Sequence, residues 1–536
     1  MNPRFFSSLI LAFFIIFSSS TSQAQETIQQ TLKREETEIP PFIQIRSIEI
    51  LGSSIFTQEQ LQEVVKDLIG LEATSENLLA IRSAITQLYV SKGFNSTAAF
   101  LAPEVDISQG NITIQIVEGV IEQVEIIGTK KLRRGYILNR LPSLGEVPLN
   151  ERELYRELQL LAIDPLVKKL NAELSPGSSD GLSILTLSIE EEDSFKVGVL
   201  LNNGRSPAVG SFQRVIQIGE SSLFGGGESL SVTYQNTDGS NGVGVGFSVP
   251  VNAKNGRIGL AYNYQSNNLI EDPVNILDLE TEAQNYEIGF RQPILKTLNQ
   301  EFSLGLTFNR TESSSFFGGE RFRISPGQDE FGRTRTSALR FSQDYLFRSF
   351  NEVFAISSQF NFGVEVFEIT KKLEPDSQFF SWQFQTYYTR LFAPDLSLIL
   401  RTNLQIANQP LVSDEQFRLG GIESVRGYRQ DLSISDNGFF GSAELRIPVV
   451  RIPQVNGVLH VAPFVDGGVG WNNGDRFSPI ASGLASVGIG LVYEMGDLGL
   501  AGDLAASVYY GVPLIRVNRV EDYGNSIYFS IIWRGL

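Results

Sequence analysis

From Asp193 to the C-terminus the chain carries a two-residue apolar/polar alternation, and this pattern limits its fold more than any other feature. Phe195, Val197, Val199 and Leu201 alternate with Lys196, Gly198 and Asn202, and Leu398, Leu400, Leu404 and Ile406 with Ser397, Arg401, Asn403 and Gln405. The last segment places Ile527, Phe529, Ile531 and Trp533 on one face. Successive side chains of a strand point to opposite faces, so such runs are strands with one apolar face. Gly, Asn, Asp and Ser cluster between them, in short and long connections. At roughly 20 residues per strand and connection, roughly 340 residues give on the order of 16 strands, an even number that suits a bacterial membrane barrel. A soluble sandwich or propeller explains neither the polar second face nor the 37 Phe and 16 Tyr. The region 192–536 is therefore expected to be a transmembrane antiparallel β-barrel, its apolar set facing lipid and its polar set a wet lumen.

The N-terminus agrees with export. Arg4, the apolar run Leu9 to Phe17 and the small residues around Ser22-Gln23-Ala24 form a signal peptide over 1–24, with the mature chain beginning near Gln25. Beyond it no run reaches the ~20 apolar residues of a spanning helix. Only helices and closed barrels satisfy their backbone groups in lipid. Residues 25–41 end in Pro40-Pro41 and read as a linker, with a short helix around Ile28 and Leu32 as the alternative.

Two similar units follow, at 42–118 and 119–191. In the first, the alternating run Ile43 to Ile50 is a strand, and Thr57-x-x-Gln60 has the form of a capping box ahead of Leu61, Val64, Val65 and Leu68. A second helix carries Leu78, Ile81, Ile85 and Leu88 and ends at Gly93, and strands are expected near Phe94–Leu101 and Asn111–Glu118. The second unit repeats this β-α-α-β-β order: a strand at Val120–Ile127, a short helix at Leu132–Leu141, a helix capped by Asn150, and strands near Leu166–Leu174 and Leu182–Glu190. The run Lys130-Lys131-Leu132-Arg133-Arg134 reads as a solvated helix start, with lipid headgroups as the alternative contact. These units resemble the POTRA domain, the polypeptide-transport-associated module of outer-membrane assembly and secretion proteins.

Composition narrows the chemistry. Lys and Arg number 43 against 60 Asp and Glu, a net charge of −17, which provides no basic footprint for nucleic acid. With no Cys and one His, His460, there are no disulfides, no thiolate or His-cluster metal site and no cysteine nucleophile. No G-x-x-x-x-G-K motif is present for nucleotide. No catalytic residue, cofactor or metal is assigned, and an enzyme is not expected.

The stretch Phe417 to Arg429, F-R-L-G-G-I-E-S-V-R-G-Y-R, is too polar and Gly-rich to continue its flanking strands. Its centre, Val425-Arg426-Gly427-Tyr428, reads as a loop with one committed charge. On the strand Gly457–Trp471, His460, Phe464 and Asp466 share the lumen phase, so Asp466 is a carboxylate available to Arg426. The residues alone leave open a solvated Arg426 and an ordinary lumen aspartate.

Signal peptide, two POTRA-like units and barrel together resemble the transporters of two-partner secretion, the haemolysin secretion/activation family of the POTRA-barrel superfamily. Ser222 to Glu228 is similar to an early-barrel turn of that superfamily, Leu419 to Tyr428 to its long sixth-loop motif, and Phe464-Val465-Asp466-Gly467-Gly468 to its later strand motif. The chain departs from the aromatic last residue common in outer-membrane strands, closing on Trp533-Arg534-Gly535-Leu536. The resemblance implies that the loop at about 408–436 folds into the barrel and that Arg426 pairs with Asp466. Arg401, Glu444 and Arg446 also fall on the lumen phase and are expected to line water, with an extended ion network as the alternative. The resemblance further implies an outer-membrane translocase, its POTRA domains in the periplasm. They would capture an unfolded, secreted client exoprotein, large and β-rich, which passes through the barrel embedded in outer-membrane lipid. Neither nucleotide nor nucleic acid takes part. A β-barrel assembly or insertion factor is the alternative function, more typically with further POTRA repeats.

Overall fold

The computed structural model describes residues 43–102, 107–371, 374–474, 479–496, 502–517 and 526–535. The targeting segment and the linker expected at 1–41 lie outside these residues. The chain divides into two compact units, Met1–Glu192 and Asp193–Leu536.

The first unit holds two β-α-α-β-β repeats. Repeat one consists of β1 (Ser47–Leu51), α1 (Gln58–Val65), α2 (Ser75–Lys92), β2 (Ala98–Leu101) and β3 (Asn111–Val117), with sheet order β1-β3-β2. The expected capping box is formed: Thr57 Oγ1 accepts from Gln60 N–H, and Gln60 Oε1 accepts from Thr57 N–H. Helix α2 ends at Gly93 with φ 98°, a left-handed conformation that costs an L side chain energy. It buries Leu78, Ile81, Ile85 and Tyr89, while Leu88 is only partly buried at the edge of the core. A spacing of three then four and four residues keeps Tyr89, and not Leu88, on the sheet-facing stripe.

Repeat two consists of β4 (Val120–Ile127), α3 (Arg134–Leu138), α4 (Glu151–Ala162), β5 (Val167–Pro176) and β6 (Leu182–Glu191), with order β4-β6-β5. Helix α3 is shorter at both ends than the expected 132–141. Pro142 disfavours helical backbone before it. At the other end the N–H groups of Lys130, Lys131 and Leu132 all donate to the Glu191 carboxylate, which holds the chain in a bend, so that the helix starts only at the end of the basic run, with Arg133 as N-cap and Arg134 as its first residue. The side chains of Lys130, Lys131, Arg133 and Arg134 are exposed.

The second unit is a closed barrel. Its strands are β7 (Phe195–Asn202), β8 (Gln213–Glu220), β9 (Ser229–Asn236), β10 (Ser240–Pro250), β11 (Arg257–Asn268), β12 (Leu279–Lys296) and β13 (Gln300–Phe317), then β15 (Arg333–Arg348), β16 (Glu352–Gly363), β17 (Phe380–Ala393) and β18 (Leu396–Ala407), and finally β21 (Asn437–Ile452), β22 (Gly457–Trp471), β23 (Gly483–Met495), β24 (Asp503–Pro513) and β25 (Ile527–Gly535). The two-residue β14 (Glu320–Arg321) folds back on the end of β13 and adds no spanning strand, which leaves sixteen. Neighbours pair antiparallel, and β25 closes on β7 from Ser530↔Asn202 to Gly535↔Val197. One barrel end has tight turns such as 221–228, 297–299 and 349–351, and the other has the long connections 318–332, 364–379 and 408–436. Short periplasmic turns and long outer loops are the rule for such barrels.

The alternation sorts as expected. Ile216, Ile218, Val232, Leu260, Ile288 and Phe290 are exposed on the outer wall. The intervening residues, such as Gln217, Thr233, Gln235, Asn263 and Asn285, take the inner phase. The sequence pattern is legible here because each strand sees lipid on one side and water on the other.

Candidate functional site: the loop anchored in the lumen

The connection 408–436 leaves the outer ends of β18 and β21 and turns inward. It carries a small hairpin, β19 (Phe417–Leu419) paired with β20 (Ser433–Ser435). The hairpin fits against the wall because that wall has almost no side chains there. A Cβ on Gly468 would stand 2.8 Å from Leu419 Cδ2, one on Gly470 2.5 Å from Ser435 Oγ, and one on Gly438 2.0 Å from Phe417 Cδ1. Leu419, Val425, Tyr428, Leu432, Phe440 and Leu484 form a buried apolar cluster beneath the hairpin. Beyond the hairpin, Gly420 and Gly421 take φ 105° and 96° at the bend that carries the chain to its tip.

At the tip Arg426 is 2 % exposed. Its Nε donates to Asp466 Oδ2 at 2.8 Å and its Nη2 to Asp466 Oδ1 at 2.9 Å, a bidentate fork completed by its own backbone N–H to Oδ2 at 3.1 Å. Nη1 donates to Glu444 Oε2 at 2.6 Å. Ser442 Oγ donates to Asp466 Oδ1 at 2.7 Å and accepts from Arg426 Nη2 at 3.3 Å. The guanidinium lies over the Phe464 ring, 3.5 Å from its centroid, and 4.8 Å from that of Tyr509. A planar, weakly hydrated cation with several donors suits this cage; the point charge of lysine does not.

The network runs further than the expected pair. Glu444 Oε1 accepts from Arg446 Nε at 2.9 Å and from Tyr509 Oη at 3.1 Å, and Arg446 Nη1 reaches Glu494 at 2.7 Å. The expectation that Glu444 and Arg446 line water is therefore corrected: both belong to a buried chain of alternating charges, since an isolated charge in so tight a space would be costly. Arg401 stays outside that chain, with its guanidinium 5.8 Å from the Phe440 ring centroid. His460 is buried on the lumen phase, its Nε2 3.1 Å from the Asp395 carbonyl oxygen.

Beside Arg426 the loop backbone touches the barrel directly. Gly427 has φ 95°, and a Cβ on Gly511 of β24 would stand 2.6 Å from Gly427 N. Tyr528 Oη accepts from Gly427 N–H at 3.1 Å and donates to the Tyr428 carbonyl at 2.5 Å. Tyr428 Oη sits 2.8 Å from the Ala485 carbonyl oxygen, 2.9 Å from that of Ile515, and accepts from Ile515 N–H at 3.1 Å. Val425 is fully buried among these contacts. Further from the tip, Glu415 forms a two-pronged pair with Arg340 of β15, and Arg429 forms one with Glu271 in the connection 269–278. The loop is thus fastened to several sectors of the barrel.

Sequence reasoning missed Tyr509, Tyr528, Glu494 and Gly511. Their signal was phase: Tyr509 and Tyr528 are aromatics on the inner phase, between the exposed outer residues Val508 and Tyr510 and beside Ile527. Glycines make room for the rings, Gly488 beside Phe464 and Gly490 beside Tyr509. Gly467 points away from the loop, with only the Leu484 carbonyl oxygen within 4 Å of a Cβ placed there. The motif 222–228 lies at the opposite barrel end, where the Glu228 carboxylate accepts from Phe224 and Gly226 N–H.

Residues 43–119 match the ShlB-type POTRA domain. Among relatives, the outer membrane transporter CdiB of Dickeya dadantii (strain 3937) is 22% identical over 478 residues, 86% of this chain and 82% of that one. CdiB of Escherichia coli is 23% identical over 520 residues, 92% and 82% of the two chains. Solved structures share the fold: CdiB from Escherichia coli at a TM-score of 0.67 and 18% identity, over 96% of this chain and 98% of that one, and BamA from Haemophilus ducreyi lacking POTRA domains 1–3 at 0.55 and 15%, over 92% and 100%. Residues 181–493 match the model of the haemolysin secretion/activation proteins ShlB/FhaC/HecB, and the chain belongs to that family of outer-membrane two-partner secretion transporters.

Proposed function

We propose that this transporter recognises an unfolded, exported client through its POTRA repeats and passes it through the barrel lumen to the cell surface, with the loop 408–436 moving aside during passage. One observation carries the reading: a closed barrel whose inner phase from β8 to β18 is mostly Gln, Asn, Ser, Thr and Gly, with a separate loop hung across it on named contacts. Such a lumen hydrates an extended chain and offers little apolar surface on which it would stick. The sheet edges of the repeats, β2 in the first and the ten-residue β5 in the second, supply backbone for adding a client strand. No covalent step is assigned to any residue, and the directional free energy comes from client folding outside. An assembly-factor role has no specific observation in its favour beyond the shared fold.

The test uses the purified chain in vesicles with the exported protein encoded beside it, presented unfolded. Protease-protected client should accumulate without nucleotide or membrane potential. Surface release of that client from cells lacking the transporter, at the level of the parent strain, would sink the reading.

A further inference from the structure

The long strands β12, β13 and β15 extend past the lipid-facing wall, and their register orders the outer face into rows. Phe290, Leu306 and Phe341 form one row and Ile288, Phe308 and Leu339 the next, all apolar. Roughly 7 Å further along the strands, at two residues per step, stand Tyr286, Arg310 and Ser337. Gln284, Glu312 and Arg335 follow, then Glu282, Ser314 and Arg333. The change from hydrocarbon-facing to charged residues is therefore complete within one row, on the outer wall and at the loop-bearing end.

Residues 364–371, in the connection after β16, fold over these rows. Glu368 O accepts from Arg310 Nη2 at 2.7 Å, and the Phe367 ring, 73% exposed, packs edge-on against Phe308 at 6.0 Å between centroids. With Tyr286 in the first polar row, these aromatics belong to the girdle at the lipid interface. Above it lies a cavity of about 550 Å³ that Arg310, Arg333, Arg335 and the exposed Arg321 enter from different elements. Arg335 is held by Asp329 and Glu368, yet its Nε is buried without a hydrogen-bond partner. Glu282 and Glu312 line the same space, Glu312 as the exposed ion-pair partner of Arg310 at 2.9 Å and Glu282 accepting from Tyr264 Oη at 3.0 Å.

We propose that this cavity binds the phosphorylated sugar headgroup of an outer-leaflet glycolipid. The mixed charge is what such a headgroup needs: guanidinium forks take phosphate oxygens, while Glu282, and Glu312 once phosphate has replaced it on Arg310, accept from sugar hydroxyls. The acyl chains then lie along the Ile288–Phe308–Leu339 row, with Phe367 at the junction. The exposed carboxylates of Glu368, which covers Arg335, and of Glu312, which pairs with Arg310, are the partners that phosphate displaces.

The test is native mass spectrometry of the purified full-length chain in detergent, titrated with an acylated glucosamine disaccharide in phosphorylated and dephosphorylated forms. The phosphorylated form should be retained preferentially, and Arg310→Gln with Arg335→Gln should weaken it by about fivefold per arginine. Equal retention of the two forms, or a double variant that binds like the parent, overturns the proposal. Displacement of the glycolipid by inorganic phosphate at equal concentration would assign the site to free phosphate and overturn the lipid. If the double variant loses the heat-modifiable migration of a folded barrel, Arg321→Gln on the exposed rim replaces it. An unchanged affinity there also overturns the proposal.

Discussion

Arg426 concentrates the loop's attachment in one side chain. Removing it leaves Asp466 and Glu444 facing each other with no shared cation in a buried space, at a cost of about 3–5 kcal/mol. Arg426→Ala is expected to lower client export more than it lowers barrel abundance, measured by release into the medium against heat-modifiable barrel in membranes. Equal losses would reduce the network to a folding role. Arg426→Lys should restore little, because an ammonium cannot fork to both Asp466 oxygens while reaching Glu444 and covering Phe464. The Arg426–Asp466 pairing was implied by resemblance and by the phase of Asp466. Neither source reached Tyr528 or Gly511, because β24 and β25 are distant in sequence and meet the loop only once the sheet closes.

The hairpin β19–β20 and the junction between the two repeats depend on close backbone approach. Gly468→Val should push Leu419 off the wall, raising the conductance of the barrel in planar bilayers and the protease sensitivity of 408–436 while barrel abundance holds. At the junction, the Glu151 carboxylate accepts from Asn95 and Ser96 N–H, while Arg152 donates to the Ser91 carbonyl. Glu151→Ala removes two charge-assisted bonds, costing roughly 1.5–3 kcal/mol. Limited proteolysis between the repeats should then speed up, and unchanged cleavage would argue against a fixed junction. The sequence showed Asn150 as a helix cap, and Asn150 does accept from Glu153 N–H. It could not show that Glu151, the next residue, caps a neighbouring domain, since that partner lies 55 residues away.

Strand β18 pairs directly with β21, from Ser397↔Arg446 to Gln405↔Gly438, so the barrel closes without help from the loop between them. Replacing residues 408–436 by a short linker should leave a folded, inserted barrel with raised single-channel conductance and no client export. A variant that fails to insert would show that the loop is needed for assembly. Strand phase, strand number and the two-repeat plan could be read from the amino-acid order, because alternation and capping are local consequences of where each residue meets water, lipid or core. Even there α3 came out shorter than its pattern, through Pro142 and the Glu191 carboxylate. The company Arg426 keeps was not local. Closure of the sheet brings β21 to β25 around one lumen sector, and in that confined space charges must pair: Glu444 and Arg446, two ordinary lumen residues by sequence, and Glu494, which the sequence did not single out, become one chain ending on the loop's arginine.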